Sequence, residues 1–558
     1  MTAVTGREDP GKLRIGLLLD SFEVAAWVYE MLVTLRQSTY ADIALIVVND
    51  SPKPKRRSLF SRVLGAWDNL FFAAYWKLDA KLFAVTPDAF EPRDATALLH
   101  DVPVMRVRPE CTKYSDRLAD ADIERIATYH LDVFVRLGFR ILRGRILTVA
   151  KYGVWSYHHG DNQVNRGGPP GFWEVLEGHA VTGSILQVLT EDLDNGVVLY
   201  RSFSATDPVS VKRNRNNYYW KSLSFLPRKL KELHAIGGAE FTRRVSSSNH
   251  PQLYAHRLYV TPRNAECAVV LTRHLVRWAR RRLERALLRE QWIVMFDMRD
   301  GVSGSPWRFK RMTPPRDRFW ADPHVIYKHG RYCVFIEEFV YTRGKAHISV
   351  IEIDTNGTYS APVPVLERPY HLSYPFVFEW NGDCYMVPES SANSSIEVYR
   401  CVEFPHKWEL CVTLMQDVTA VDATLFCDGR KWWLFANVRE RPGASKWDEL
   451  FLFSADTPLS THWTPHPANP VVSDVRRSRP AGAIFEHGGR LYRPSQNSGT
   501  RYGYGLNLNR IITLSETEYR EEESSTLEPK WARDVRGIHT LSHVNRLTVV
   551  DALVQRIL

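Results

Sequence analysis

Between Gly153 and Leu199 the chain sets out residue types that run acid–base chemistry. The stretch GVWSYHHGDNQVNRGGPPGFW opens on a short apolar strand (Val154, Trp155) and carries Ser156, His158, His159 and Asp161. The glycine turn Arg166-Gly167-Gly168 follows, and Pro169 and Pro170 stop extended structure. A second stretch from Thr182, TGSILQVLTEDLDNGVVL, reads as a strand and then an acidic turn holding Glu191, Asp192 and Asp194 beside Asn195-Gly196. A histidine at one strand end and an aspartate on the next loop orient and charge each other. Loops between regular elements are where such groups concentrate.

The elements that must position them read as a doubly wound α/β sheet. RIGLLLD (14 to 20) is a continuous apolar run, as in a strand buried on both faces. An amphipathic stretch from Val24 to Arg36 and the strand IALIVVND (Ile43 to Asp50) complete a strand–helix–strand unit. No GxGxxG follows the first strand, so a dinucleotide fingerprint is absent. LDVFVRLGFRILRGRIL supplies another strand and the Gly138 loop.

These motifs together resemble the formyltransferase family that uses 10-formyltetrahydrofolate. Gly153-Val154, His158, Arg166-Gly167, Pro170, Trp173, Thr182-Gly183 and the Asp194–Gly196 turn match the family pattern over roughly residues 12 to 235. The resemblance implies a catalytic set of Ser156, His158 and Asp194, with Gly138, Phe139, Arg166 and Gly167 on the folate side. One position departs: the family's catalytic asparagine falls on Ser156. Either Ser156 or Asn162 supplies the missing oxyanion donor, or the site no longer transfers formyl groups; losing one donor lowers a rate roughly 100- to 1000-fold.

From Trp292 the texture changes to short alternating strands with aromatic residues and glycine turns. Copies of one hairpin start at Ala321, Ser373, Val421 and Ala481, with a degenerate fifth at Gly537. Hairpins at a period of roughly 50 to 60 residues predict a β-propeller, and five copies predict five blades. The starts of the first strands (Asp322, Tyr374, Asp422) should face the central cavity, with Glu337, Glu338, Glu389 and Gln496 added by the second strands and Trp320, Tyr370 and Tyr374 as stacking faces for sugar rings. Converging carboxylates are what glycosyl chemistry uses. The phrases WADPH, YHLSYPF (with His371), VPES, DATLF, RPAGAIF and GIHTLS resemble the propeller domain of plant glucosamine inositolphosphorylceramide transferases and, more widely, the five-bladed propellers of carbohydrate-active proteins. In hydrolases of that superfamily a fourth-blade glutamate also acts; here Ala481 and Gly482 stand in its place.

The whole chain sets bounds on these readings. It has 558 residues, 44% hydrophobic and 24% charged, the balance of a globular protein. The expected layout is a tail (1–12), an α/β domain (13–235) with a helical insertion (51–84), a helical linker (236–291) and the propeller (292–558). The seven cysteines form no metal-ligand or disulfide pattern, and no metal site is expected. The net charge of +10 sits in runs at Lys53–Arg57, from Lys212, and from Arg277 to Glu290, each able to meet phosphate or anionic lipid. No nucleic-acid motif appears. The N-terminus reads as cytoplasmic, with peripheral contact at the inner membrane face as the alternative placement. Three functional readings follow: formyl transfer to an amino sugar, with the propeller binding or modifying the same nucleotide- or lipid-linked glycan; a catalytic propeller beside a non-catalytic α/β domain; or a glycan-binding scaffold. Oligomeric state is not legible.

Overall fold

A computed structural model describes residues 11–52, 67–112, 114–192, 194–251 and 253–557. The basic run Lys53–Arg57 lies outside the described residues. The chain forms two compact units, the first running to Val276 and the second from Arg277, apart from Phe203–Ala205 and Arg441–Ala444, which each belong with the other unit.

The first unit is built on strands β1 (Leu13–Leu19), β2 (Ala41–Asn49), β3 (Val104–Val107), β4 (Val133–Arg136), β5 (Val154–His158), β6 (Val181–Val188) and β7 (Val197–Ala205). Their order in the sheet is β7-β6-β5-β4-β1-β2-β3. From β3 to β5 all pairings are parallel, and β6 runs antiparallel to β5. The central run IGLLL of β1 is buried almost throughout, as its unbroken apolar sequence requires. The direction of winding reverses between β1 and β4, and a sheet of this kind opens a crevice at the carboxyl ends of the strands flanking that point. Gly138 packs there so closely that a Cβ would lie 2.5 Å from the Asp20 nitrogen.

Helices cover the sheet: α1 (Ala26–Arg36), α2 (Leu70–Leu82), α3 (Asp120–Ala127), α4 (Phe172–Glu177), α5 (Val211–Ser222), α6 (Phe225–Ile236), α7 (Gly238–Ser248) and α8 (Asn264–Leu287). The stretch expected as a linker is different. Phe241 of α7 is buried and stacks on Trp155, while Tyr259, Cys267 and Val270 join the core around Phe172 and Trp173. The α/β unit therefore extends well past residue 235, because these side chains have apolar surface to cover. The basic run from Lys212 lies on α5 and is satisfied internally. Lys212 binds Asp88 at 2.6 Å, and the Arg215 guanidinium lies over the Phe90 ring at 4.2 Å.

The second unit is a five-bladed propeller. Blade one is β10 (Arg318–Lys328), β11 (Arg331–Val340), β12 (Lys345–Ile353) and β13 (Val363–Leu366). Blade two is β14 (Ser373–Trp380), β15 (Asp383–Ser390), β16 (Ser395–Glu403) and β17 (Lys407–Gln416). Blade three is β18 (Ala420–Cys427), β19 (Trp432–Val438), β20 (Glu449–Ala455) and β21 (Thr464–Pro465). Blade four is β22 (Phe485–His487), β23 (Arg490–Asn497), β24 (Gly505–Leu514) and β25 (Tyr519–Leu527). The fifth joins the two ends of the unit: β26 (Leu541–Val544) pairs β27 (Leu547–Ile557), which pairs β8 (Leu288–Met298), which pairs β9 (Lys310–Met312). This closure leaves no open edge between first and last blade. His329-Gly330, Asn381-Gly382 and Gly488-Gly489 take positive φ at both positions of their tight hairpin turns, as the strand twist demands.

The repeat also carries a distortion at one fixed place. Asp322, Tyr374 and Asp422 have φ of 51°, 42° and 54°, and Gly482 has 131°. In the first three copies the pairing register breaks across this residue and the next. A non-glycine residue held there costs roughly 1–3 kcal/mol, a strain found mostly at functional sites.

Candidate functional site

In the propeller, these bends aim side chains at the centre of the ring. A cavity of about 490 Å³ is lined by Glu337, Glu389, His371, Lys446, Arg479 and His539, among others. Aromatic faces come from Trp292, Phe319, Trp447 and Tyr502. Strand alternation decides which side chains arrive. Ala321 pairs with Glu337 and Trp320 with Glu338, so one pair faces the cavity and the other the blade interior.

Glu338 is therefore placed away from the cavity. It accepts hydrogen bonds from Trp320 Nε1 at 3.2 Å, Arg318 Nη1 at 3.0 Å and Ser349 Oγ at 2.7 Å. Burial raises its pKa, and bonds from His347, Ser349, Arg318 and Trp320 outweigh that and bring it to about 2. Trp320 is buried with it, Tyr370 donates to Glu397, and Tyr374 is fully buried, so none of the three expected stacking faces lines the cavity. Tyr374 instead ties blades together: its backbone N–H donates to Asp322 Oδ2 at 3.1 Å, and its hydroxyl accepts from Gly482 N at 2.7 Å.

The buried acids divide by environment. Arg479, 5% exposed, donates to Asp422 through Nε and through Nη2 at 3.0 Å, and its Nη2 lies 3.4 Å from Glu389 Oε2. Glu389 also accepts from Ser391 Oγ at 2.6 Å and lies 3.7 Å from Lys446 Nζ. Burial pushes the Glu389 pKa up, and the Arg479 and Lys446 charges with the Ser391 bond carry it below the ordinary value. Glu337 has no lysine or arginine ion pair among the described residues; its basic neighbour is His371, whose Nε2 lies 3.4 Å away and whose own pKa is lowered by burial. Burial and the charges of Asp322 and Glu389 push it well above the ordinary carboxyl range, so it holds its proton. Asp422, bound also by Gln496 Nε2 at 2.7 Å, is pushed up to about 7 by burial and the neighbouring acids, against the pull of Arg479. One cavity thus presents a neutral carboxylic acid and an ionised carboxylate, the division of labour acid–base catalysis needs.

Sequence reading passed over Arg479 and His539. His539 stacks on Trp292 at 4.0 Å, and its two ring nitrogens lie 2.6 Å from Asp551 and 3.6 Å from Asp322. These three are the one group among the described residues with cation-ligand spacing, and the imidazole already bridges both carboxylates. The phrases GIHTLS and RPAGAIF carried the signal, but nothing local marked His539 and Arg479 as funnel residues.

In the α/β unit, Ser156, His158 and Asp194 come together at the ends of β5 and the turn before β7. His158 Nδ1 lies 3.3 Å from Asp194 Oδ1, and Asp194 Oδ2 accepts from Gly167 N at 3.0 Å. Gly167 has φ of 102°, and a Cβ there would lie 2.1 Å from the Tyr259 carbonyl oxygen, so only glycine fits. Burial disfavours the imidazolium, but the Asp194 bond and charge outweigh it and raise the His158 pKa. Burial raises Asp194, and His158, Gly167 and Arg136 together lower it below the ordinary value.

Each side chain that could donate to a reacting carbonyl already makes a bond inside the protein. His158 Nε2 bonds the Asn165 carbonyl at 2.9 Å. The Ser156 hydroxyl accepts from Arg136 Nη1 at 3.0 Å and donates to the Tyr157 carbonyl at 3.3 Å. The Asn162 amide donates to the Asp194 carbonyl at 3.3 Å and accepts from Arg201 at 2.9 Å. Arg136 itself is buried, which lowers its pKa. Phe139, with φ of 64°, donates its N–H to Asp20 at 2.9 Å beside Gly138, at the crevice expected for the folate. Arg166 lines a separate polar cavity of about 580 Å³ with Asn162, Asn195 and Arg201.

A family model described as the N-terminal region of glucosamine inositolphosphorylceramide transferase 1 matches residues 310–541, the propeller. Glucosamine inositolphosphorylceramide transferase 1 of Arabidopsis thaliana is 33% identical over 208 residues, 37% of this chain and 27% of that protein. The chain thus spans about a quarter of the length of these curated relatives. Methionyl-tRNA formyltransferase of Prochlorococcus marinus is 38% identical over 82 residues, 14% of this chain and 24% of that enzyme. Among solved structures, the catalytic domain of a Coprinopsis cinerea alpha-L-arabinofuranosidase matches 46% of this chain and 97% of its own, at 15% identity and a TM-score of 0.33, too low to bear on function. This chain is therefore similar to the plant transferases across its propeller and, over a short stretch, to formyltransferases.

Proposed function

We propose that the propeller is a carbohydrate-active site that makes or breaks a glycosidic bond, and that the α/β unit is a formyltransferase-like domain without formyl transfer. The observation that carries this is one aromatic-lined cavity that holds both Glu337, whose pKa is raised by burial and neighbouring acids, and Glu389, held by Arg479, Lys446 and Ser391. Glu337 donates its proton to the leaving oxygen as the glycosidic bond breaks. Glu389, a weak base because three groups already bind it, stabilises positive charge on the sugar ring or forms the transient ester to its anomeric carbon. Glu337, now ionised, then takes the proton of the incoming hydroxyl. Trp292 and Tyr502 offer faces to the sugar. The name of the plant relatives favours an amino sugar on an inositolphosphoryl lipid as the substrate class.

The test is turnover of nucleotide sugars and aryl glycosides by the wild type and by Glu337→Gln and Glu389→Gln. Each change should lower kcat by a factor of roughly 10² to 10⁴. Full activity in both would end the proposal.

A second reading keeps formyl transfer from 10-formyltetrahydrofolate to an amino sugar, and the His158–Asp194 pair favours it. Against it stands the engagement of Ser156, Asn162 and both ring nitrogens of His158 within the protein. A formyl carbonyl would have to displace these bonds or rely on the second N–H of the Asn162 amide alone.

A further inference from the structure

α2 and the part of α8 that lies in the α/β unit, residues 264–276, are apolar on both sides. α2 seats Phe72, Tyr75 and Trp76 on the core around Phe172 and Trp173. α8 seats Cys267, Val270 and Leu271 on the same core. Their first turns are tied together, since Asn264 N donates to the Asp68 carbonyl at 2.7 Å and Phe71 N donates to Asn264 Oδ1 at 3.0 Å. The inward sides are thereby accounted for.

The outward sides are not. Just before and along α2, Trp67, Phe71, Leu78 and Leu82 are 60%, 48%, 54% and 63% exposed, at spacings that fall on one stripe. On the part of α8 that lies in the α/β unit, Val269 and Val276 are 50% and 62% exposed, two helical turns apart on one stripe. Both helices sit over one core and start from one point. An exposed apolar surface of this kind marks a contact site.

Charge selects the partner. Lys77 and Lys81 border the α2 stripe, and Arg273 borders that of α8; all three are exposed and make no ion pair among the described residues. Amphipathic helices with large apolar side chains bordered by lysine and arginine lie in the headgroup region of anionic bilayers. No helix of the described residues is long and apolar enough to cross a membrane. We propose that α2 and α8 dock this unit onto an anionic lipid surface, with the apolar stripes in the interfacial region and the cations against the headgroups. This stands apart from the glycosyl reading of the propeller.

Flotation of the full chain with vesicles of phosphatidylcholine alone, or of phosphatidylcholine with phosphatidylserine, tests it. The wild type should float with the anionic vesicles and not with the neutral ones. Phe71→Glu/Leu78→Glu and Val269→Glu/Val276→Glu should each weaken binding by about a hundredfold or more, with an unchanged melting temperature. Lys77→Glu/Lys81→Glu should abolish the preference for phosphatidylserine. Failure of the wild type to float, or equal binding by the glutamate variants, overturns the proposal. So does light scattering in which the wild type is a dimer that these variants split, because the face would then join two copies.

Discussion

At the residue scale, chemistry is set by which neighbours each acid has. Glu337 and Glu389 share a cavity, and only Glu389 has Arg479, Lys446 and Ser391 beside it. The pH profile should follow. Activity needs Glu337 protonated, so kcat/KM falls as pH rises through its raised pKa. It needs Glu389 ionised, and because that pKa is lowered, the acid limb lies below the ordinary 4.5. A profile whose acid limb sits near neutrality would contradict these roles. Removing Arg479 strands Asp422 and Glu389 in a buried site, and Arg479→Ala should cost about 3–5 kcal/mol of stability by denaturant titration. In the α/β unit His158 and Asp194 act on stability. The raised His158 pKa gives stability that is complete below 6.5 and lost as pH rises through the folded value, and the lowered Asp194 pKa gives stability present above 3.8 and lost on acidification. The melting temperature of His158→Gln should therefore lose the wild type's decline on the alkaline side. Sequence alone brought out His158, Asp194, Asp322, Glu389 and Asp422 because motif position marks them. It could not separate Glu337 from Glu338, since adjacent strand residues face opposite ways and only the register breaks decide which.

At the element scale, the repeat explains the strained bends. Asp322, Tyr374, Asp422 and Gly482 occupy one place in four copies, all with positive φ. At Gly482 the demand is strictest, because a Cβ would lie 1.9 Å from the Leu541 carbonyl oxygen. Gly482→Ala and Gly167→Ala should each lower stability by at least about 1–3 kcal/mol, measured by thermal melting. The hairpins, their turns and the five-copy count were legible because period-2 alternation and Asn-Gly or Gly-Gly pairs are local signals. The extension of the α/β unit through α7 and the first half of α8 was not, because helices at the end of a domain look the same in sequence as a linker. What decides is whether Phe241 and Cys267 find a core, and both do.

At the scale of the molecule, each unit is closed in its own way. The propeller is closed by β27 lying between β26 and β8, eleven residue pairs joining the last strand to the first from Leu288–Ile557 to Met298–Leu547. A chain ending before Leu547 should lose the propeller's cooperative melting transition, because the opened ring exposes a long strand edge. Composition and charge placed the chain among globular proteins but said little about partners, because the basic run from Lys212 is consumed internally and the apolar stripes of α2 and α8 are visible only once the cores are drawn. The most direct measurement is parallel turnover of nucleotide sugars and aryl glycosides by four proteins: the wild type, Glu337→Gln, Glu389→Gln and His158→Ala. The account predicts that both propeller variants lose activity and that His158→Ala keeps it. Activity that survives both propeller changes and disappears with His158 would contradict it.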